Sequence, residues 1–426
     1  MSRRPGRWAV GGWGLLLLLG CGPEPAGGPV TVSVSGSVLG AEGRILRRQL
    51  ERFDREHPEL RVEMRPTPDA ADLRHQLYVQ WLNARATDPD ILQVDAIWTP
   101  EFAAAGWILP LDRYASDTAD FFPVTIDANR WDGRLFAMPW FVDVGMLYWR
   151  TDLFDRAPAT WDALDRQVRR AIAGGSPRYG LVWQGARYEG LVTVFLEYLG
   201  SFGGRILDGG RVTVAEAPGV RALTLMRDQI RTGVVPGRAL TWHEEEPRFA
   251  FQNGEAAMMR NWPYAAGPMG DTAESRVAGR FAVAPMPAGP GGHPTAAFGG
   301  AQLAINAFSP EAEAAWLVIE YLTGPERMLE RAQVVGQFPT RVKIYDDPAL
   351  ADALEIPPAQ AREVIEAAVP RPVTPVYTQL SEILQIQLHR ALTRQAEPGD
   401  ALARAAAEMQ ELLDRVGLGR GAVAGH

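Results

Sequence analysis

Between residues 30 and 95 the apolar positions switch repeatedly between two periods. Val30, Val32 and Val34 alternate with Thr31, Ser33 and Ser35, the period-two signature of a strand. Ile45, Leu46, Leu50 and Phe53 then fall on one helical face, Leu60, Val62 and Met64 return to period two, and Leu73, Leu77, Tyr78, Trp81 and Leu82 restore the helical spacing. The apolar run Ile91-Leu92-Gln93-Val94 makes a third strand. Strands alternating with helices predict parallel pairing through right-handed crossovers, hence an α/β sheet covered on both faces. Ligands of such open sheets sit beyond the carboxyl ends of the strands, which places Asp95 at a candidate site.

Farther along, Leu135 to Arg150 contains two strand-like pieces around Pro139 and Trp140 and reads as a crossing between two lobes. The Pro/Gly-rich stretch Ala284 to Pro294 reads as the return linker. Gly299-Gly300 opens a strand from Gln302 to Ile305, and Ser309-Pro310-Glu311 is expected to start a helix with a serine cap and proline at the first helical position. Leu402, Ala405, Met409, Leu412, Leu413 and Val416 recur at helical spacing in a helical C-terminal region, a packing stripe.

Composition removes several chemistries. Net charge is −8 over 426 residues and no basic block occurs, so the footprint of nucleic-acid binding is missing. Lys343 is the sole lysine, so no Gly-Lys-Ser/Thr phosphate loop can be written and a Schiff base could form only there. Cys21 is the sole cysteine, which excludes an intrachain disulfide and a cysteine-rich zinc site. His57, His75, His243, His293, His389 and His426 are scattered, with no metalloprotease or serine-hydrolase motif. Neither a metal nor another cofactor is expected. Carboxylates are plentiful, and Asp95 with Asp143, or Glu244 to Glu246, leave a glycosidase pair open.

The first twenty residues read as a secretory signal: Arg3, Arg4 and Arg7 precede an apolar stretch ending at Leu15 to Leu19, too short to span a bilayer. Leu18-Leu19-Gly20-Cys21 resembles the lipobox of bacterial lipoproteins, in which the cysteine is acylated. The alternative is an ordinary signal peptide cut near Ala26. Residues 21–29 are a Gly/Pro-rich tether. The expected product is exported and held to a membrane only through lipidated Cys21. Within the body, aromatic residues lie beside polar ones at predicted strand ends: Asp95 with Trp98, Trp140 with Asp143, and Arg260-Asn261-Trp262. A flat aromatic face complements the C–H face of a pyranose, while carboxylates and guanidinium groups bond its hydroxyls.

Five dispersed blocks carry a family resemblance from about residue 30 to 416. They are Asp88 to Trp98 (DPDILQVDAIW), Pro139 to Leu153 (PWFVDVGMLYWRTDL), Trp183 to Gly190 (WQGARYEG), Phe251 to Tyr264 (FQNGEAAMMRNWPY), and Pro339-Thr340-Arg341 with Tyr345-Asp346-Asp347. Together they resemble the extracellular solute-binding proteins of ABC sugar importers, in the trehalose/maltose-binding branch. The resemblance implies a two-lobed periplasmic-binding-protein-like fold of type II, each lobe a mainly parallel sheet flanked by helices, closing on a sugar and presenting it to a membrane permease. The implied lobes are 30–142 with 297–343, and 143–296 with 344–418, followed by a tail at 419–426. It further implies a monomer that is not an enzyme. Carried across by position, its ligand-binding residues are Glu42, Arg74, Asp95, Asp143, Trp262 as stacking platform, Gly299, Gly300 and Arg341, with Trp98 beside them. Two departures stand out: Ala301 follows the glycine pair where the family commonly has tryptophan, and Phe141 stands where it has tyrosine.

Overall fold

The computed structural model describes residues 28–36, 40–68, 71–116, 118–354 and 356–419. The expected signal segment, Cys21 and the end of the tail lie outside the described residues. The first elements are β1 (Val30–Gly36), α1 (Gly40–Glu56), β2 (Leu60–Pro66), α2 (Ala71–Asn83) and β3 (Ile91–Asp95). β1 pairs in parallel with both β2 and β3, as the alternation of periods predicts. Its serines face protein instead of water. Helices cover both faces of the sheet, and Ser33 donates to Asp90 at 2.7 Å while Ser35 meets the Tyr78 hydroxyl at 2.7 Å. A buried hydroxyl needs such a partner.

The chain then forms β4 (Met138–Val144) and, after the single residue Gly145, β5 (Met146–Arg150). Next come α3 (Trp161–Ala173), β6 (Tyr179–Val182), α4 (Glu189–Ser201), α5 (Ala217–Arg231), α6 (Glu245–Gln252), β7 (Ala256–Asn261) and β8 (Phe281–Ala284). β9 (Ala296–Ile305), α7 (Ala312–Leu322), α8 (Pro325–Val335), β10 (Phe338–Pro339), α9 (Pro358–Glu366), β11 (Ala368–Val369), α10 (Tyr377–Leu392) and α11 (Pro398–Arg415) follow, with shorter helices and strands between these elements.

Two main sheets result. The first runs β10-β4-β9-β3-β1-β2, with β11 on β9, and the second runs β8-β5-β7-β6. Among these strands the parallel pairs are β1–β2, β1–β3, β6–β7 and the short β9–β11 pair, whereas β4 and β10 pair antiparallel, β9 does so with β3 and β4, and β5 does so with β7 and β8. The mixed pattern follows from the crossings: β4 leaves the first sheet for the second and β9 returns, so these neighbours run in opposite directions. α9 packs on β4 and β9 of the first sheet, and only α10 onward packs on α4 and α5. The final crossing therefore lies at about 370–376 by packing, whereas the sequence reading placed it at 344. The helix expected at Ser309 begins at Ala312 instead. The Ser309 hydroxyl donates to Asp90 and accepts the Glu311 N–H at 3.0 Å, a turn that keeps Pro310 outside the helix.

Beneath the first crossing lies a fully buried ion pair. Arg260 on β7 donates from Nε to Glu197 on α4 at 2.8 Å, and both side chains are completely shielded from solvent. Glu197 also accepts the N–H of Ala297, the second residue of β9. A Cβ at position 145 would lie 1.7 Å from the Glu197 carboxylate, so glycine alone fits there. Burial pushes the Glu197 carboxyl up, and Arg260 opposes that shift. Removing one member of such a pair strands a buried charge and costs about 3–5 kcal/mol, whereas apolar replacement of both members is often neutral. Arg260→Met is accordingly expected to lose about that much in urea unfolding, and Glu197→Met with Arg260→Met to recover most of it. A single variant as stable as wild type would remove the pair as a support of the crossing.

Candidate ligand-binding cleft

The cleft lies where the two sheets meet, and its polar lining follows from the connectivity of the first. Three chain segments leave the carboxyl ends of β1, β2 and β3, and they deliver Glu42 in the first turn of α1, Arg74 in the first turn of α2, and Asp95 itself. All three line a cleft of about 1410 Å³ together with Phe141, Asp143, Trp262, Gly299, Gly300 and Ala301. The β-ladder sets the floor. Ala301 is in register with Asp95 on one side and Phe141 on the other, and Gly299 is opposite Asp143. Cross-strand partners project to the same face. Gly300 has φ +115°, and a Cβ there would come 2.1 Å from the Phe141 carbonyl, so the close strand approach requires glycine.

The second lobe contributes the aromatic wall. Trp262 follows β7, and its backbone is fixed by its N–H donating to the Asn261 side chain at 2.9 Å and its carbonyl accepting from Tyr148 at 2.7 Å. The Arg260 guanidinium lies 3.8 Å from the centre of the Trp262 ring, a cation–π contact that fixes one face of the indole. The ring edge reaches across to Gly299 and Asp143, since a Cβ on Gly299 would lie 3.8 Å from Trp262 Cζ3 and 3.7 Å from the Asp143 Cβ.

The Asp143 carboxylate makes no hydrogen bond or ion pair with any described residue. Burial, then the neighbouring Glu42 and Asp95 carboxylates, push its carboxyl up from 3.8 to about 7, with Arg260 and Arg331 opposing. Arg331 stacks 4.0 Å over Trp140 and bonds Gln337 through Nε at 3.0 Å. Burial lowers its pKa to about 10, and Glu42 and Asp143 oppose that change.

Two of the sequence-predicted residues lie outside the lining. Trp98 is buried among His75, Tyr78 and Phe102, with the Arg74 guanidinium 5.8 Å from its ring, so it underlies Arg74. Arg341 points the other way: it donates to the Thr323 carbonyl at 2.8 Å and pairs with Asp120 at 3.3 Å, with Phe121 stacked at 4.2 Å. Conversely, the cleft contains Arg371, Glu189, Tyr188 and Glu244, which sequence reasoning did not select as ligand residues. Arg371 bonds Asp95 at 2.7 Å and Glu189 at 3.1 Å. Tyr188 donates to Glu244 at 2.7 Å. Glu189 lay within one of the quoted blocks, and Arg371 within the proline-dense run Pro370 to Pro375, the signals that could have marked them.

Two lobes joined by several crossings around a polar, aromatic-walled cleft define a solute-binding protein. The chain belongs to the bacterial extracellular solute-binding protein family, whose pattern it matches over residues 37–328. It is 37% identical over 357 residues to a probable ABC transporter-binding protein of Deinococcus radiodurans, covering 80% of this chain and 84% of that one. The maltose-bound structure of T. maritima MalE3 superposes with a TM-score of 0.84 at 42% identity, covering 90% of this chain and all of that one. A maltotriose-binding protein of Pyrococcus abyssi is 24% identical over 272 residues, which are 62% of this chain and 57% of that protein. Membership of a family of exported binding proteins displaces the glycosidase alternative.

Asp143 makes the unliganded protein pH-sensitive. Its folded pKa lies above its ordinary value, so the folded state holds a proton that the unfolded chain releases. That contribution to stability is complete below about pH 4 and is lost as pH rises through about 7. Asp143→Asn keeps the shape without the charge, so its melting temperature should gain on wild type as pH rises from 4 to 8. Parallel melting curves across that range would contradict the environment assigned to Asp143.

Proposed function

We propose that this protein captures a small α-linked gluco-oligosaccharide, of the trehalose or maltose type or longer, between its lobes and delivers it to the permease of an ABC importer. The observation that carries the reading is the placement of Trp262 within reach of Asp143, whose carboxylate has no partner among the described residues, across from Asp95. An aromatic face and an unengaged acceptor are what a pyranose ring with free hydroxyls requires. The sugars named for T. maritima MalE3 and the P. abyssi protein support the same class. Glu42, Arg74, Gly299 and Gly300 complete the proposed contact set, and the lining adds Arg371 to it. Negative groups at the centre disfavour phosphorylated ligands.

Calorimetric titration with maltose and maltotriose tests this reading. A hydrogen bond to a charged group contributes about 1.5–3 kcal/mol, so Asp143→Ala should weaken binding roughly tenfold to more than a hundredfold. Trp262→Ala should weaken it further, and wild-type affinity in both variants would exclude them from the site. Ala301 bears on ligand length. The cleft exceeds the roughly 300–1,000 Å³ of ordinary small-molecule pockets, and a methyl group replaces an indole on its floor. Ala301→Trp should therefore abolish binding of maltotriose while sparing maltose; an identical size preference in the two proteins would mean that residue 301 does not face the ligand.

The export reading belongs to the same proposal. Acylation of Cys21 would hold the binding domain near its permease, because more than one acyl chain is needed for stable anchoring and a bacterial lipoprotein carries several. Cys21→Ala should release the protein from membranes, and a mature N-terminus at Ala26 would end this part of the proposal.

A further inference from the structure

Arg371 occupies the last of the crossings between the lobes, on the segment that joins β11 to α10. The element before this segment pairs with β9, and the helix after it packs on α4 and α5. Its side chain is only 4% exposed, and its two ion pairs go to different lobes. Nη2 donates to Asp95, at the end of β3 in the first lobe, and Nη1 donates to Glu189, in the first turn of α4 in the second.

Glu189 is itself immobilised. One oxygen accepts from both Arg371 and the Tyr377 hydroxyl at 2.7 Å, and the other accepts from the Ser381 hydroxyl. Tyr377 and Ser381 both belong to α10, so Glu189 ties α4, α10 and the crossing segment together. Both of its oxygens are engaged by protein donors, which sets Glu189 apart from Asp143 as a ligand contact. Burial opposes the charge on Arg371, but Asp95 and Glu189 outweigh it and hold the guanidinium protonated.

We propose that Glu189 is a positioning residue that acts through Arg371, forming with Asp95 a charged latch across the hinge that biases the unliganded protein toward the closed arrangement and fixes the Asp95 carboxylate for its ligand. A planar guanidinium presents its donors in a rigid fork, so it can satisfy Asp95 and Glu189 together only over a narrow range of lobe angles. Opening the lobes breaks one bond and leaves a buried charge short of a partner, which is costly. Closed-state bias raises apparent affinity, because a ligand that needs the closed form binds in proportion to its population.

The latch rests on the two-lobed clamp but not on the identity of the sugar, so its test is made first without ligand. Spin labels at Arg47→Cys on α1 and Arg166→Cys on α3, both exposed positions, report the distance between lobes in the full chain carrying Cys21→Ser. Glu189→Gln preserves size and hydrogen bonding but removes the charge that pairs with Arg371. It should shift the unliganded distance distribution to longer values and weaken maltotriose binding by about three- to tenfold, while saturating maltotriose restores the wild-type closed distance. In an Arg371→Met background the same substitution should leave the distribution unchanged, since the residue through which it acts is gone. A merely structural Glu189 would instead lower the melting temperature and leave the unliganded distribution as in wild type. That outcome, or a shift that persists without Arg371, overturns the proposal; failure of maltotriose to bind leaves the unliganded comparison intact and counts only against the sugar reading.

Discussion

The buried pair of Glu197 and Arg260 is the interaction on which the first crossing and the aromatic wall of the cleft depend. The pair lies in the second lobe, yet it fixes three features of the cleft at once. It fills the space beside Gly145 so tightly that no side chain fits there, it bonds the backbone of β9 at Ala297, and it supports the Trp262 ring. Two charges withdrawn from water stay ionised only with close partners. That requirement holds the crossing strands and the aromatic platform at fixed mutual positions. A stacking surface must be held rigidly to discriminate between ligands, and here the rigidity comes from a charge that has nowhere else to go.

The first lobe solves a different problem. Its sheet is ordinary, and the site arises because the segments leaving β1, β2 and β3 end at one edge. Glu42, Arg74 and Asp95 meet there although they are separated in sequence. Burial first, and then the neighbouring Glu42 and Asp95 carboxylates, raise the cost of ionising Asp143, whose side chain has no partner among the described residues. Such a group is poised to gain from a ligand that supplies hydroxyl donors, because binding replaces an unfavourable environment with a favourable one. The raised pKa and the proposed ligand contact are thus two consequences of one arrangement.

The sequence carried much of this in advance, for physical reasons that also explain where it stopped. β1, α1, β2, α2 and β3 announce themselves because their apolar positions keep the period of each element, although β1 and β3 are in fact buried on both faces, and the carboxyl-end rule then points to Asp95. Local periodicity says nothing about long-range ion pairs. Arg371 meets Asp95 across 276 positions, and only the path of the last crossing brings them together. Trp98 looks like a site residue because it follows Asp95 closely, but the turn into the next helix carries its ring under Arg74 and into the core. Arg341 sits in a distinctive block, yet Asp120 and the Thr323 carbonyl draw its guanidinium away from the cleft. In both cases the backbone position was visible and the side-chain direction was not.

The central claim is that Trp262 and the Asp95–Asp143 floor together grip a sugar between two lobes. A crystal structure of the protein grown with saturating maltotriose tests it most directly. The account predicts a pyranose ring stacked on the free face of Trp262, with hydroxyls within hydrogen-bond distance of the Asp143 and Asp95 carboxylates. A sugar bound elsewhere, or a closed cleft in which Trp262 touches no ring, would contradict it.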